Sequence, residues 1–268
     1  MQNNMKYLGI DIGSRAVKIA AFDDWPPVLG VGSDSLYEIY NTSDFYRGFR
    51  NDTPDGFDVD FSRLGIGAQG VCCTGYGRNN VKLKGTEQIV ELRAHTMGAV
   101  LQTGLMDFTL LDAGGQDSKI ISVRNGIMSD MALNDKCAAS CGRYLENMAL
   151  ILGITLDELS VYKDDPVELN STCAVFSESE LLSGISEGVS IARLAAGVNY
   201  SLFKRILPLV GRFPSDDLVV TGGVALNKAF IHYLKAGLNF KKVIVPAYPQ
   251  YNGAIGCCAW LGRHYRYE

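Results

Sequence analysis

Histidine is scarce in this chain, and the scarcity excludes a class of sites. The 268 residues hold three histidines, His95, His232 and His264, none near another in sequence. A histidine-rich zinc centre therefore lacks its donors. No apolar run approaches the roughly 20 residues of a membrane span, and the opening residues carry no secretion-signal pattern. The expectation is a cytoplasmic protein with no membrane contact. Positive charge is not in excess either: 25 Lys and Arg stand against 29 Asp and Glu, a net −4. That balance argues against a general binder of nucleic acid or of anionic membranes. The dipeptide Gly-Lys is absent, so there is no Walker P-loop. Gly65-Ile66-Gly67-Ala68-Gln69-Gly70 matches the dinucleotide fingerprint, yet it leads into the strand-like Val71-Cys72-Cys73-Thr74 rather than opening a helix. The context a Rossmann site needs is missing. Tight Cys-x-x-Cys pairs are absent too.

What is present suits one globular chain of one or two domains, with 47% hydrophobic and 20% charged residues. Seven cysteines without a secretion signal point to a reducing compartment, and to metal or redox use rather than disulfides.

Residues 7–12 read as a strand, 13–16 as a tight turn and 17–22 as the returning strand, a hairpin with an acidic residue at its lip. A turn follows at 23–27, and residues 44–61 are polar and aromatic without a period. Residues 71–74 read as a short buried strand. The stretch 86–101 is helical by pattern, with Ile89, Leu92, Met97 and Val100 apolar. Then the opening repeats. Leu8-Gly9-Ile10-Asp11-Ile12-Gly13 with Lys18-Ile19 aligns with Leu110-Leu111-Asp112-Ala113-Gly114 with Lys119-Ile120. Both read Asp-x-Gly-x-x-x-x-Lys-Ile between two apolar strands, the mark of an internal duplication. Two similar halves facing each other across a cleft are expected, divided as 1–98 plus 247–268 and 99–246. A third glycine turn, Thr221-Gly222-Gly223, follows the strand 218–220 and opens a helix over 224–234. Residues 243–246 read as a last strand and 252–261 as a terminal helix.

Asp11 and Asp112, at the lips of two glycine hairpins, suit a nucleoside triphosphate with its Mg²⁺. Glycine lets backbone N–H groups approach phosphate oxygens, and carboxylates hold the metal directly or through water. Gln116 and Asp117 are placed to orient an attacking water, and Gly222 and Gly223 to let adenosine lie against the backbone. A second constellation is Asn134-Asp135-Lys136-Cys137-Ala138-Ala139-Ser140-Cys141-Gly142-Arg143-Tyr144-Leu145. A helix begins just after this cysteine loop, with Tyr144, Leu145, Met148, Ala149 and Leu152 on one face and Ser140 as the expected N-cap. Cys173 likewise precedes Ser177-Glu178-Ser179-Glu180, a capping-box pattern. Either the cysteines are buried small hydrophobes, or they are thiolates holding something anionic near helix N-termini, such as an iron–sulfur cluster. Two thiolates are half of the usual set. Cys141 and another cysteine complete it, or a second copy of the chain does so across a two-fold axis. Cys72-Cys73 and Cys257-Cys258 lie in apolar segments and read as core. Glu91 and His95 are one helical turn apart and within reach of a hydrogen bond, with packing as their expected role.

Asp11-Ile12-Gly13-Ser14, Thr74-Gly75-Tyr76-Gly77-Arg78, Asp112-Ala113-Gly114-Gly115-Gln116-Asp117, Asn134-Asp135-Lys136-Cys137-Ala138-Ala139, Ser171-Thr172-Cys173-Ala174-Val175-Phe176 and Thr221-Gly222-Gly223-Val224 together resemble one family. It is the family of ATP-dependent activators of 2-hydroxyacyl-CoA dehydratases, which includes the ATPase subunits of benzoyl-CoA reductase (BadF/BadG/BcrA/BcrD type). The resemblance runs from Lys6 to about Trp260 and is weakest between 23 and 64. It implies an α/β fold of the actin/sugar-kinase/Hsp70 kind, two duplicated subdomains around a nucleotide cleft, and a homodimer holding one 4Fe–4S cluster between subunits. Cys137 and Cys173 are then the cluster ligands, and Asp11, Asp112 and Gln116 the catalytic groups. Gly13, Ser14, Arg15, Lys18, Gly114, Gly115, Asp117, Gly222 and Gly223 bind ATP or ADP with Mg²⁺. The implied activity is ATP-driven delivery of low-potential electrons, received from a ferredoxin or flavodoxin, to a partner iron–sulfur dehydratase. An aryl-CoA reductase or a double-cubane cluster reductase is the alternative partner. A small-molecule kinase and a polymerising actin-like protein are the rivals on the same fold. The sequence departs from the family at Ser140-Cys141, where Gly-Thr is usual, which sets a third thiol beside the cluster. It departs again over 37–60.

Overall fold

The computed structural model describes residues 4–24, 35–54, 56–81, 85–134, 141–170 and 174–264. β1 (Asn4–Ile12) and β2 (Ala16–Phe22) form the first hairpin, antiparallel, with Asp11 opposite Lys18. β3 (Ser35–Asn41) continues the sheet beyond β2 and leads into α1 (Thr42–Phe49). The small ribbon of β4 (Arg50–Thr53) and β5 (Gly56–Val59) follows. β6 (Gly67–Thr74) lies parallel to β1 on its other side, and β7 (Thr86–Gln88) parallel to β6. The order is β3-β2-β1-β6-β7.

The second sheet repeats this scheme strand for strand. β8 (Phe108–Ala113) and β9 (Ser118–Arg124) form its hairpin, antiparallel, with Asp112 opposite Lys119. β10 (Ile127–Asn134) extends it, while β11 (Asp217–Thr221) and β12 (Lys242–Ile244) add in parallel on the far side. The order is β10-β9-β8-β11-β12. The duplication read from one hairpin thus covers five strands in each half. The turn into β10 is Asn125-Gly126, both at positive φ, the two-residue hairpin whose twist matches that of its strands.

Two compact units result: Met1–Met106 with Gly126–Met128 and Gln250–Glu268, and Asp107–Asn125 with Ser129–Pro249. The first boundary lies beyond the expected residue 98, because α2 (Glu91–Thr103) runs unbroken through it and ends at Gly104 in the left-handed conformation. The second lies at 249/250 rather than 246/247, just before α8 (Asn252–His264).

In the first unit β1 alternates. Leu8, Ile10 and Ile12 enter a core with Val17, Ile19, Phe45, Phe61 and Cys73, as the two-residue period requires. Gly9 and Asp11 face the other way, toward α8. A Cβ on Gly9 would stand 2.0 Å from the Ala254 carbonyl oxygen, and one on Gly256 would stand 1.8 Å from that of Ala94. Only glycine lets α8 lie this close to both β1 and α2. Cys72, Cys73, Cys257 and Cys258 are all fully buried free thiols. Burial pushes the Cys73 thiol up to about 12 and those of Cys257 and Cys258 well above the usual range. Their reading as core holds. In the second unit α3 (Gly142–Leu152), α4 (Leu156–Leu159), α5 (Ala174–Ser186), α6 (Ile191–Val210) and α7 (Lys228–Gly237) accompany the sheet. Tyr144, Leu145, Met148, Ala149 and Leu152 are buried there, the face the periodicity predicts.

Several expectations are corrected. Residues 86–88 are strand, not helix, because they find a ladder on Val71, Cys72 and Cys73. α2 buries the continuous run Ala94–Ala99 rather than an Ile89/Leu92/Met97/Val100 stripe. The segment after Gly222 is a 3₁₀ turn, Gly223–Leu226, and α7 begins only after Asn227, whose side chain accepts from the Phe230 N–H at 2.8 Å. The last strand is Lys242–Ile244 and the terminal helix Asn252–His264. Of the expected turn 23–27, residues 25–27 lie outside the described residues.

Candidate functional site

Each hairpin ends in the same small frame. Gly13 N–H donates to the Ala16 carbonyl at 3.1 Å, and Gly114 N–H to that of Asp117 at 2.9 Å, closing the two turns. Ser14 and Arg15 are exposed at the first turn, and Gln116 at the second. The Thr42 hydroxyl anchors the first turn by donating to the Gly13 carbonyl at 2.8 Å. Asp11 and Asp112 are buried, each with a lysine across the hairpin: Lys18 Nζ is 3.5 Å from Asp11 Oδ2, and Lys119 Nζ 3.7 Å from Asp112 Oδ2. Lys119 is buried and closer to Asp117, at 2.9 Å.

The parallel neighbour completes the frame. Thr74 is paired in register with Asp11, and Thr221 with Asp112. A glycine at positive φ follows each, Gly75 at 89° and Gly222 at 85°. A Cβ at Gly75 would lie 2.4 Å from the Ile12 carbonyl oxygen, and one at Gly222 would lie 2.2 Å from that of Ala113. Conformation and space both demand glycine. The sequence reading aligned the two hairpins but not these Thr-Gly pairs. Their signal was the shared Thr-Gly after an apolar strand.

The frames differ at one hydroxyl. Thr221 donates to Asp112 Oδ1 at 2.9 Å, whereas Thr74 donates to the Ile89 carbonyl at 3.1 Å. Asp11 Oδ1 is left buried with no hydrogen-bond partner. A buried carboxylate oxygen in that state is costly. It fits a hard divalent cation, which takes carboxylate and water oxygens. Among the described residues no group of three or more His, Cys, Asp and Glu side chains could hold a metal ion. Magnesium needs no such cage, because it keeps several waters and takes one or two carboxylates with phosphate oxygens. His95, which the sequence reading left to packing, is buried on α2 with Asn252 Nδ2 donating to its carbonyl. A Cβ on Gly253 would lie 2.8 Å from Asp11 Oδ2 and 3.2 Å from His95 Nε2, so both groups border one spot on α8.

Cys137 and Cys173 lie outside the described residues, as does Ser140. The N-cap of α3 is Cys141, fully buried, with no side-chain cap bond. The first two N–H groups of α3 instead donate to the second turn: Gly142 to the Gly114 carbonyl and Arg143 to that of Gly115, both at 2.9 Å. The capping box at 177–180 is not formed. Ser177 lies inside α5, and its hydroxyl donates to the Asn170 carbonyl at 2.5 Å, while Glu180 accepts from the Asn170 N–H. Asn170 therefore sits against α5, while Val167 and Glu168 bond to Arg193 and Lys204 of α6. Arg205 ties this corner to α3, donating to the Asn170 carbonyl at 2.8 Å and standing 4.3 Å over the Tyr144 ring.

Known proteins resemble the chain along most of its length. Residues 8–260 match the BadF/BadG/BcrA/BcrD ATPase family. The (R)-2-hydroxyglutaryl-CoA dehydratase activating ATPase of Acidaminococcus fermentans is 35% identical over 94% of this chain and 95% of its own. The solved activator of the 2-hydroxyisocaproyl-CoA dehydratase from Clostridium difficile with bound ADPNP superposes with a TM-score of 0.81 at 31% identity, covering 98% of this chain and 96% of that one. A ROK family glucokinase from Streptomyces griseus, 12% identical over 97% of this chain and all of its own, shares the fold alone at a TM-score of 0.51. The sugar-kinase-like α/β fold is thereby established, and the chain belongs to the BadF/BadG/BcrA/BcrD ATPase family.

Proposed function

We propose that this protein is an ATP-hydrolysing iron–sulfur electron donor that delivers low-potential electrons to a partner enzyme of the 2-hydroxyacyl-CoA dehydratase type. The observation that carries the ATPase half is the duplicated Asp–Lys–Thr–Gly frame with one carboxylate oxygen, Asp11 Oδ1, buried and without a partner. Family membership carries the electron-transfer half. Bound Mg²⁺ supplies charge neutralisation at the phosphates. Asp11 would hold it, with Lys18 keeping the Asp11 carboxylate turned. The turns 13–15 and 114–117 offer backbone N–H groups to phosphate oxygens, and Gly222 leaves room for the nucleoside against the backbone. Asp112, held by Thr221, and Gln116, exposed at its turn, would orient the attacking water.

Cys137 and Cys173 are the proposed ligands of a 4Fe–4S cluster shared with a second copy, which supplies one-electron chemistry when bound. The burial of Cys72, Cys73, Cys257 and Cys258 in the core supports this choice. The bonds from Gly142 and Arg143 to the second turn give a route for nucleotide state to reach the cysteine loop. A ferredoxin or flavodoxin is the proposed electron source.

Anaerobically purified protein should be coloured and hydrolyse ATP with Mg²⁺. Asp11→Asn should lose at least about tenfold in turnover, roughly 1.4 kcal/mol of barrier. Cys137→Ala or Cys173→Ala should bleach the visible band, and Cys257→Ala should not. Colourless protein that phosphorylates a small molecule would return the reading to a kinase. Colour retained in Cys173→Ala would overturn the shared cluster.

A further inference from the structure

Thr42 opens α1, half-buried, and bonds the first hairpin turn twice. Its hydroxyl donates to the Gly13 carbonyl at 2.8 Å, and its N–H donates to the Arg15 carbonyl at 3.1 Å. The leading N–H groups of a helix have no partner within it, and the turn's carbonyls satisfy one here. The start of α3 treats the second turn alike, through the Gly142 and Arg143 N–H groups on the Gly114 and Gly115 carbonyls. In each unit, then, a helix start holds the carbonyl side of a hairpin turn. The two differ in kind: both ties at the second turn are backbone, whereas one of the two at the first is a side chain.

Holding the carbonyls aims the donors. In a planar trans peptide the C=O and the following N–H point in opposite directions. A Gly13 carbonyl drawn to Thr42 therefore turns the Ser14 N–H away from α1. The ties on Gly114 and Gly115 do the same for the N–H groups of Gly115 and Gln116. These three N–H groups donate to nothing among the described residues, and Ser14 and Gln116 are exposed. Without its tie, the peptide between Gly13 and Ser14 could flip and aim a carbonyl oxygen where an anion should sit. Thr42 lies within 37–60, where the sequence departs from its family.

We propose that Thr42 is a positioning residue of the nucleotide site: its hydroxyl holds the Gly13 carbonyl against α1, and so presents the Ser14 N–H to a phosphate oxygen of the nucleotide. The inference rests on the nucleotide reading of the two turns given above. Serine supplies the same hydroxyl, while valine keeps the shape of threonine and supplies none.

The test is calorimetric binding of ADPNP with Mg²⁺ to wild type, Thr42→Val, Thr42→Ser and Thr103→Val, each shown folded at the assay temperature by circular dichroism. Thr103 is the control: its hydroxyl donates to the Ala99 carbonyl at 2.7 Å at the end of α2, so its loss removes a similar bond away from the turn. Full loss of a hydrogen bond to a charged group amounts to about ten- to hundredfold in affinity, and a donor loosened rather than removed sits at the low end. ADPNP affinity should fall about tenfold in Thr42→Val and stay within about twofold of wild type in Thr42→Ser and Thr103→Val. Should Thr42→Val fail to fold, Thr42→Ala takes its place, since it removes the hydroxyl without setting a methyl against the Gly13 carbonyl. Wild-type affinity in the variant lacking the hydroxyl would overturn the positioning role. So would Thr42→Ser as weak as that variant, or an equal fall in Thr103→Val, which would assign the effect to the stability of the unit. Wild type that binds no ADPNP would remove the nucleotide reading itself, and this proposal with it.

Discussion

Replacing Gly253 by alanine separates the cation site from the stability of the fold. Gly253 is the second residue of α8, and alanine in a helix is more favourable than glycine by roughly 0.5–1 kcal/mol. Against that gain, the new Cβ would stand 2.8 Å from Asp11 Oδ2 and 3.0 Å from its Cγ, where ordinary contact begins at 3.4 Å. Something must yield by several tenths of an ångström. β1 is paired on both sides, so the carboxylate turns rather than the strand. A misplacement of about 1 Å at a reacting centre costs on the order of a hundredfold, so half of that costs about tenfold. The expected result is a melting temperature within a few degrees of wild type, with Mg²⁺-dependent ATP turnover lowered about tenfold. Thermal melts and a magnesium titration of turnover measure both. Wild-type magnesium dependence in a folded Gly253→Ala protein would refute the reasoning.

Two further outcomes follow from the same geometry. Thr221→Val removes a buried hydroxyl bonded to a carboxylate and should cost about 1.5–3 kcal/mol, whereas Thr74→Val removes one bonded to a neutral carbonyl and should cost about 1 kcal/mol; equal losses in denaturant titrations would erase the distinction between the frames. Alkylation requires the thiolate, and a thiol raised to about 12 stays protonated at pH 8. Cys73, Cys257 and Cys258 should thus resist a maleimide at pH 8 until the protein is unfolded, and labelling of Cys73 in native protein, read by mass spectrometry, would count against its burial.

The parts legible in the sequence were those written in short-range pattern. Asp-x-Gly-x-x-x-x-Lys-Ile announced both hairpins because strand alternation and turn glycines are local. Asn125-Gly126 was equally local and was passed over, although its positive-φ pair marks a hairpin. Thr86, Glu87 and Gln88 could not be placed from pattern, since what makes them strand is the ladder offered by Val71–Cys73. Ser177 and Glu180 have capping-box spacing, but the chain before them returns to bind both side chains mid-helix. The site divides the same way. The two aspartates were visible, whereas the approach of both Asp11 and His95 to Gly253 depends on α8, more than a hundred and fifty residues after His95.

The seating of α8 on β1 and α2 also sets an order of events during synthesis. Domains form as units while the chain emerges, and the second unit, Asp107–Asn125 with Ser129–Pro249, is made entirely before α8. The first unit, begun earlier, waits for residues 252–264 to cover the face that carries Gly9 and Asp11. The half of the protein translated first is therefore the half that finishes folding last. Its sheet stays open on one side throughout the translation of the other half, and chaperones would meet the nascent chain there.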